Sequence, residues 1–334
     1  MDLNARIYVA GHRGLAGSAL ARRLASGGYR NLVLRTHGEM ELTDQAAVKA
    51  FFDKERPEYV FVAAAKVGGI LANNEYPAEF IQANLAIQTN VIHEAWRGGA
   101  KRLLFLGSSC IYPRDCPQPI KEDYLLTGPL ELTNRAYAVA KIAGVEMCRS
   151  YNRQYGTRYL AAMPTNLYGP GDNYDLASSH VLPALVRKTH EAKARGLDRV
   201  SVWGTGKPRR EFLHSDDMAD ACVMLMNLSD AAFDKVLRGP NDFPLINVGC
   251  GEDQTIAELA RAVASVVGFR GALEFDTSKP DGTPRKLLDV GRLKALGWSP
   301  RIGLAEGIAA AYKDFLAWEG GARKNINQPS EVRT

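Results

Sequence analysis

Tyr137 and Lys141 form the first pair of residues in this sequence that suggests a reaction. They are four residues apart in a segment with a helical pattern, so both side chains fall on one face of the helix. The pKa of tyrosine is ordinarily about 10, which makes it a poor acid or base near neutrality. A neighbouring ammonium group favours the phenolate and lowers that pKa. The pair therefore indicates acid–base chemistry, although Tyr-x-x-x-Lys alone is common by chance.

A second candidate, Ser108, lies about thirty residues upstream, where the fourth predicted strand ends in Gly107–Cys110. A hydroxyl at the carboxyl edge of a parallel sheet faces the ligand crevice, where it can donate a hydrogen bond to a substrate carbonyl. Ser108, Tyr137 and Lys141 together are a much more specific signal than any one of them. They predict a site that acts on a carbonyl oxygen.

Three glycines, Gly11, Gly14 and Gly17, come directly after the first predicted strand and before a predicted helix. The first glycine permits a tight turn, and the others let a diphosphate and the helix approach closely. The phosphate then meets the free amides of a helix N-terminus. This placement predicts a dinucleotide site. The cationic nicotinamide of such a cofactor would add to the effect of the ammonium group in lowering the pKa of Tyr137.

The second predicted strand indicates which dinucleotide binds. An acidic residue at its end would hold the ribose 2′-hydroxyl of NAD, but this chain has Arg35 and His37 there, with Arg13 inside the glycine turn. Guanidinium groups suit a 2′-phosphate, which favours NADP, unless Arg35 simply faces solvent. Asp44 is placed either to meet the adenine or to cap the next helix.

These residues are positioned by an alternation of apolar runs and amphipathic stretches. Such alternation predicts an α/β fold with a doubly wound parallel sheet of the Rossmann type. The predicted strands are Ile7–Ala10, Leu32–Arg35, Tyr59–Ala64, Leu103–Leu106 and Tyr159–Met163. The predicted helices are Leu15–Ser26, Gln45–Glu55, Ala78–Arg97 and Thr133–Gly156.

The rest of the chain predicts a second, smaller lobe that interleaves with the first. Asp216–Leu228 and Leu245–Val248 have the pattern of a helix and a strand that rejoin the sheet. We therefore expect a nucleotide-binding domain of residues 1–170 and 208–248. Residues 171–207 and 249–320 would form the substrate lobe, and 321–334 a polar tail.

Composition narrows the class of protein. The chain has 334 residues and a net charge of +5, with scattered basic residues, which favours a small anionic substrate over nucleic acid. No apolar run approaches the ~20 residues of a membrane span, and no cleavable signal precedes the first strand, so we expect a cytoplasmic protein. Five cysteines without CxxC spacing predict neither a disulfide framework nor a metal site.

With these motifs in place, the chain resembles the extended short-chain dehydrogenase/reductases over nearly its whole length. Ala63–Lys66, Pro164–Pro170 and Arg209–Asp217 support the resemblance. Longer and more specific matches, which it shares with one branch of the family, are Gly11–Gly14, Lys66–Ile70 with Asn73-Asn74, Gly107–Pro113, Ser179-His180 and Lys279–Lys286.

The resemblance implies a bifunctional enzyme that epimerises GDP-4-keto-6-deoxy-D-mannose at C3 and C5 and then reduces its C4 ketone with NADPH. A ketone at C4 makes the hydrogens at C3 and C5 acidic, so both centres can invert through an enol or enolate. Cys110 would be the base and His180 the acid on the opposite face. Tyr137 and Ser108 would hold the oxyanion, and Lys141 would also bind the nicotinamide ribose. Members of the family are often dimers that pair two helices from each subunit, so a homodimer is expected.

The same resemblance supplies sets of binding residues. Those expected to bind the cofactor are Gly11, His12, Arg13, Gly14, Leu15, Ala16, Gly17, Arg35, His37, Asp44, Leu106, Gly107, Ser108, Ser109, Lys141, Pro164, Thr165, Asn166, Leu167 and His180. Those expected to bind the GDP-sugar are Lys188, Trp203, Arg210, Asp281 and Lys286. Two positions depart from the family pattern. Lys188 replaces a frequent arginine and loses its bidentate fork, and His37 replaces an arginine near the 2′-phosphate.

Three alternatives remain at this point. A 4,6-dehydratase of the same family carries an Asp-Glu pair where this chain has Ser109-Cys110. A 4-epimerase or simple reductase would leave Cys110 and His180 without a role. An NADP-binding regulatory or scaffold protein has no need of Ser108, Tyr137 and Lys141 together.

Overall fold

A computed structural model describes residues 1–279 and 281–319 of the chain. Its strands are β1 (Ile7–Ala10), β2 (Leu32–Val33), β3 (Tyr59–Val62), β4 (Arg102–Leu106), β5 (Tyr159–Pro164), β6 (Asn166–Tyr168), β7 (Arg199–Trp203), β8 (Arg209–Arg210), β9 (Phe212–His214), β10 (Leu245–Val248), β11 (Gln254–Thr255), β12 (Ala272–Asp276) and β13 (Arg285–Lys286).

The helices lie between these strands in the order that the sequence predicts for the first half. They are α1 (Leu15–Ser26), α2 (Gln45–Glu55), α3 (Ile70–Glu75), α4 (Pro77–Arg97), α5 (Arg135–Tyr155), α6 (Val181–Ala194), α7 (Ser215–Met226), α8 (Asp230–Leu237), α9 (Ile256–Val267), α10 (Gly291–Ala295) and α11 (Leu304–Glu319). The expected tail, 321–334, lies outside the described residues.

Six parallel strands form the central sheet, in the order β10-β5-β4-β3-β1-β2. This confirms the predicted fold class, and β10 rejoins the sheet beside β5 as expected. β2 ends at Val33, two residues before the predicted end, so Arg35 lies beyond the strand. The strands are almost continuously apolar because helices cover both faces.

Two apolar clusters hold the helices against the sheet. On one face, Val91 of α4 and Val145 of α5 are fully buried. On the other, Leu20 of α1 and Met218 of α7 are fully buried. The direction of winding changes between β1 and β3, and at such a point the carboxyl ends of the strands leave a crevice for a ligand.

The later segments build smaller sheets beside that crevice. β11, β8 and β13 form one sheet, and β12 pairs with β7 in another. A third apolar cluster joins α6, α9 and α11, with Leu185, Val263 and Phe315 at its centre. In the described part of the chain, no helix combines the length and apolar character that crossing a membrane requires.

Candidate active site

The glycine turn connects β1 to α1 at the edge of the crevice. Gly11 has φ of +81°, and a Cβ there would lie 2.7 Å from the backbone of Ala64, which follows β3. A Cβ at Gly17 would lie 2.1 Å from the carbonyl oxygen of Gly11. The fold itself therefore requires glycine at both positions, because helix α1 packs directly against the turn.

Gly14 is different, since a Cβ there would meet only the Gly11 oxygen at 3.6 Å. It precedes α1, whose N-terminus has no side-chain cap and no acidic residue in the first turn. The first amides of any helix, here those of Leu15 and Ala16, have no intrahelical acceptor, and in α1 no capping side chain takes its place. The Nδ1 atom of His12 is also buried without a partner among the described residues. An open, positively polarised helix N-terminus fits the diphosphate of a dinucleotide.

The residues expected to select between NAD and NADP differ in how far their side chains are already paired within the protein. Arg35 donates to the Glu55 carboxylate at 2.7 Å, so its charge is already paired. His37 is exposed and lies 2.5 Å from Glu41. Asp44 accepts from the amides of residues 46 and 47 and so caps α2, the second of its two expected roles. Arg13 is exposed and has no partner in the described ranges, so its guanidinium is available to a phosphate.

The catalytic candidates meet where β4 ends and α5 begins. The Lys141 ammonium donates to the carbonyl oxygen of Leu106 at 2.8 Å and lies 5.8 Å from the centre of the Tyr137 ring. Ser108 caps the short 3-10 turn Ser109–Ile111 by accepting from the amide of Cys110 at 3.4 Å. Cys110 is 7% exposed and Lys141 is 3% exposed. These four side chains form a single, mostly dry cluster.

Burial shifts the pKa values of this cluster. The pKa of Tyr137 is raised because burial penalises the phenolate, and this outweighs hydrogen bonding to Ser108. The Lys141 ammonium does not offset this rise, and the expected lowering by that ammonium together with the cationic nicotinamide of a bound cofactor stays a prediction. Burial lowers the pKa of Lys141 to about 8. It also raises the pKa of Cys110, and the ammonium groups of Lys286 and Lys141 oppose that rise.

His180 immediately precedes α6 on the second lobe. It is accessible to solvent, yet the protein around the imidazole lowers its pKa by desolvation. Near neutrality the ring is therefore mostly neutral, and it must take up a proton before it can act as an acid. The preceding turn is attached to the nucleotide-binding side, since the Gly69 amide donates to the Ser178 carbonyl oxygen at 3.0 Å.

The two loops expected to line the cofactor site are tightly packed. A Cβ at Gly107 would lie 1.9 Å from the end of the Met163 side chain, so any larger residue there would require that flexible side chain to move. Pro164 ends β5, and the next two side chains, Thr165 and Asn166, both donate to the carbonyl oxygen of Glu211. The loop after β5 is thereby fastened to the segment between β8 and β9.

The residues expected to bind the GDP-sugar form two neighbouring groups. Trp203 ends β7 and is 56% exposed, and the Lys188 ammonium lies 5.0 Å from its ring centre. Arg210 and Lys286 are paired across β8 and β13. Their pKa values are both lowered by burial, and the nearby Asp281 carboxylate opposes the fall for Arg210. Since Lys286 also affects the pKa of Cys110, this group reaches the catalytic cluster.

The structure adds contacts that sequence reasoning missed. The Phe80 ring packs edge-on against Tyr137, with centroids 6.3 Å apart, and Lys141 lies over the Phe105 ring at 4.7 Å. Asp281 accepts from the Thr205 amide at 2.9 Å and from its hydroxyl at 2.6 Å. Lys279 lies 5.6 Å from the Trp203 ring centre and belongs to the Lys279–Lys286 motif, which was the only sequence signal for it.

No group of three or more histidine, cysteine or acidic side chains that could hold a metal occurs in residues 1–279 and 281–319. What the site offers is an uncapped helix N-terminus that fits a phosphate and a partly buried Ser-Tyr-Lys cluster at the carboxyl edge of a parallel sheet. Fold and site together define a dinucleotide-dependent α/β oxidoreductase or epimerase.

Comparisons with known proteins narrow the class. Residues 7–236 match the model of the NAD dependent epimerase/dehydratase family, and the chain belongs to that family. It is 57% identical over 316 residues to "Putative GDP-L-fucose synthase 2" of Arabidopsis thaliana, covering 95% of this chain and 93% of the relative. It is 54% identical over 314 residues to "GDP-L-fucose synthase" of Escherichia coli (strain K12), covering 93% of this chain and 96% of the relative.

A solved structure shows the same architecture. "MlghC, GDP-mannoheptose C4 reductase from Campylobacter jejuni with NADP bound" has a TM-score of 0.84 and 40% sequence identity, and the match covers 95% of this chain and 99% of that one. The family and the fold predicted from the sequence are therefore confirmed.

Proposed function

We propose that this protein converts GDP-4-keto-6-deoxy-D-mannose into GDP-L-fucose by epimerisation at C3 and C5 followed by NADPH-dependent reduction at C4. The observation that carries the proposal is the identity, above half and over nearly the whole chain, to relatives named GDP-L-fucose synthase. The site supports it, because Cys110 lies beside the Ser108, Tyr137 and Lys141 cluster. A simple reductase would not need a thiol there.

Epimerisation comes first in this scheme. The Cys110 thiolate removes the proton at C3 or C5, and its high pKa in the free protein is opposed by the Lys286 and Lys141 ammonium groups. The Tyr137 and Ser108 hydroxyls donate hydrogen bonds to the C4 oxygen as negative charge develops there. The protonated His180 imidazole returns a proton from the opposite face.

Reduction follows once both centres have inverted. When bound, NADPH supplies the hydride for C4. Tyr137 gives its hydroxyl proton to the C4 oxygen, and Lys141, which is held by the Leu106 carbonyl, stabilises the phenolate that remains. The raised pKa of the Tyr137 hydroxyl keeps it protonated, as a proton donor must be.

The binding roles belong to the same proposal. The glycine turn binds the cofactor diphosphate, and Arg13 approaches the 2′-phosphate of NADP(H), with Arg35 and His37 in the surrounding loop. Trp203 stacks on guanine, while Lys188, Arg210 and Lys286 neutralise the diphosphate of the sugar nucleotide. Residues 1–170 and 208–248 form the nucleotide-binding domain, and 171–207 and 249–320 form the substrate lobe.

The test is to incubate the protein with GDP-4-keto-6-deoxymannose in heavy water, with and without NADPH. We expect deuterium at C3 and C5 in both cases, and NADPH oxidation with GDP-L-fucose as the product when the cofactor is present. Turnover of a different ketosugar, with none of this substrate, would refute the proposal.

The Cys110→Ser variant tests the base. Deuterium uptake should fall below detection while NADPH affinity stays within about twofold, because serine is a far weaker base at the same position. Cys116→Ser is the matched control, since Cys116 is half-buried and outside the cluster. If Cys110→Ser exchanges deuterium at the rate of the control, Cys110 is not the base.

We also propose a cytoplasmic homodimer that pairs α4 and α5 of each subunit. Within one subunit these helices already pack together, and the Gln88 amide donates to the Ala140 carbonyl oxygen at 2.6 Å. Gly144 faces the interior, because a Cβ there would lie 2.4 Å from Phe105, so this small residue serves packing within the subunit. Val139 is exposed on the outer face. Sedimentation equilibrium tests the assembly.

A further inference from the structure

Three polar side chains on or beside the segments that lead to His180 and Tyr137 have a buried atom without a hydrogen-bond partner among the described residues. These atoms are Oδ1 of Asn73, Oδ1 of Asn134 and Oγ of Ser179. Asn73 is only 7% exposed. Buried polar atoms are nearly always satisfied, since leaving one unpaired costs about 1–3 kcal/mol. Three in one region indicate a missing polar partner.

Gly69 brings two of these side chains together. Its amide donates to the Ser178 carbonyl oxygen at 3.0 Å, and a Cβ at this position would lie 2.9 Å from the Ser179 carbonyl oxygen. The Asn73 side-chain amide donates to the carbonyl oxygens of Gly68 at 2.7 Å and Gly69 at 3.0 Å. Because these bonds commit its NH₂ group, Oδ1 is left as a free acceptor.

The third side chain comes from the segment that leads to the catalytic helix. Asn134 ends the 3-10 turn Leu132–Asn134, which packs against α3, the helix that contains Asn73. Tyr137 follows three residues later, and Ser179 directly precedes His180. Asn134 and Ser179 therefore belong to the segments that lead directly into the proposed proton donor to the C4 oxygen and the proposed acid, and Asn73 lies on the helix that contacts the first of these segments.

We propose that Asn73, Asn134 and Ser179 form the subsite that binds the hydroxyl groups of the hexose. This inference rests on the proposed function, in which the substrate keeps free hydroxyls only at C2 and C3. Each sugar hydroxyl donates to one asparagine Oδ1, and the serine hydroxyl donates to a sugar oxygen. The subsite would hold the ring with C3 and C5 between the base and the acid.

A neighbouring residue provides a matched control. The Ser178 hydroxyl donates to the Asp175 carboxylate at 3.0 Å and accepts from the Asn173 side chain at 2.9 Å. Its hydrogen bonds are therefore already made within the turn. Ser179→Ala removes a hydroxyl that has no partner in residues 1–279 and 281–319, whereas Ser178→Ala removes one that has two.

The experiment compares the affinities of GDP and GDP-mannose by isothermal titration calorimetry. GDP lacks the hexose, and GDP-mannose presents the C2 and C3 hydroxyls without reacting. In Ser179→Ala we expect GDP-mannose to bind about 3- to 10-fold more weakly, as loss of one neutral hydrogen bond implies, while GDP affinity is unchanged. Ser178→Ala should keep the wild-type ratio of the two affinities.

Asn134→Ala is the second variant, in case Ser179→Ala folds poorly, and the same loss for GDP-mannose alone is expected. Equal changes for GDP and GDP-mannose, or no change in either variant, would overturn the subsite. The affinity ratio does not depend on turnover. An inactive protein that still shows the selective loss would therefore refute the proposed function and retain the hexose subsite.

Discussion

Lys141 and Lys188 both belong to the proposed active site, but their surroundings are opposite. Lys141 is 3% exposed, and its ammonium lies between a carbonyl oxygen and two aromatic rings. Burial lowers its pKa to about 8. Lys188 is half-buried beside Trp203, an indole more than half exposed to water. Burial lowers the pKa of Lys188 as well, and the Asp276 carboxylate opposes that fall.

This difference indicates that the residues proposed for catalysis and those proposed for substrate binding lie in surroundings that differ in their exposure to water. In the dry cluster around Lys141, electrostatic interactions are strong because little water screens them. Around Trp203, water competes for every charge and hydrogen bond, so each contact contributes modestly. Substitutions in the cluster should therefore change kcat or stability strongly, and those around Trp203 should mainly change KM.

The largest effect is expected for Tyr137→Phe. Loss of the proton donor should lower kcat for NADPH oxidation by about 10²- to 10⁴-fold, the usual contribution of general acid–base catalysis. Cofactor affinity, measured by fluorescence titration, should stay within about twofold. Tyr155→Phe, at the exposed end of the same helix, is the control. Comparable activity of the two variants would contradict the role of Tyr137.

Lys141→Met tests desolvation in the cluster. The pKa of Lys141 is about 8 in the folded protein and 10.5 ordinarily. Between pH 8 and 10.5 the unfolded chain therefore binds more protons than the folded one, so the free energy of unfolding of the wild type rises with pH. The variant lacks this gain. Relative to wild type, its free energy of unfolding should be higher below pH 8 than above pH 10.5, by on the order of 3 kcal/mol. Urea unfolding without cofactor measures it, and a difference independent of pH would contradict the shift.

Gly14→Ala separates the cofactor site from the fold. The new methyl group meets only the Gly11 oxygen at 3.6 Å, so the melting temperature should barely change. It would stand at the open helix N-terminus and weaken NADPH binding about 10- to 100-fold, the loss of one charge-assisted hydrogen bond. Gly303 also precedes a helix, and a Cβ there meets nothing within 4 Å, so Gly303→Ala is the control. Unchanged NADPH affinity in Gly14→Ala would place the diphosphate elsewhere.

The smallest effect is expected at the exposed end of the cleft. Trp203→Ala should raise KM for the sugar nucleotide about 5- to 20-fold. This lies near the low end of the effect expected when base stacking is lost, because more than half of the ring is exposed to water. The value of kcat should stay within about threefold, and Trp203→Phe should recover part of the loss in steady-state kinetics. A fall in kcat as large as that of Tyr137→Phe would remove the contrast between the two regions.

Much of the site was predictable from local pattern. The glycine turn, the strand that ends in Gly107–Cys110 and the helix that carries Tyr137 and Lys141 all follow from short-range periodicity. The helix α3 was missed because Ile70–Glu75 is too short to show a period. The edge contact of Phe80 with Tyr137 was also missed, since it joins residues on two different helices.

The sequence by itself determined which chemical groups are present and which of them share a helix face or a strand end, because helix and strand geometry set those spacings. Only the tertiary structure decided how they behave. It paired Arg35 with Glu55, brought Lys286 within reach of Cys110, and surrounded Tyr137 with protein so that desolvation raises its pKa. Distances between elements and the exclusion of water depend on how the whole chain packs, and no local pattern encodes them.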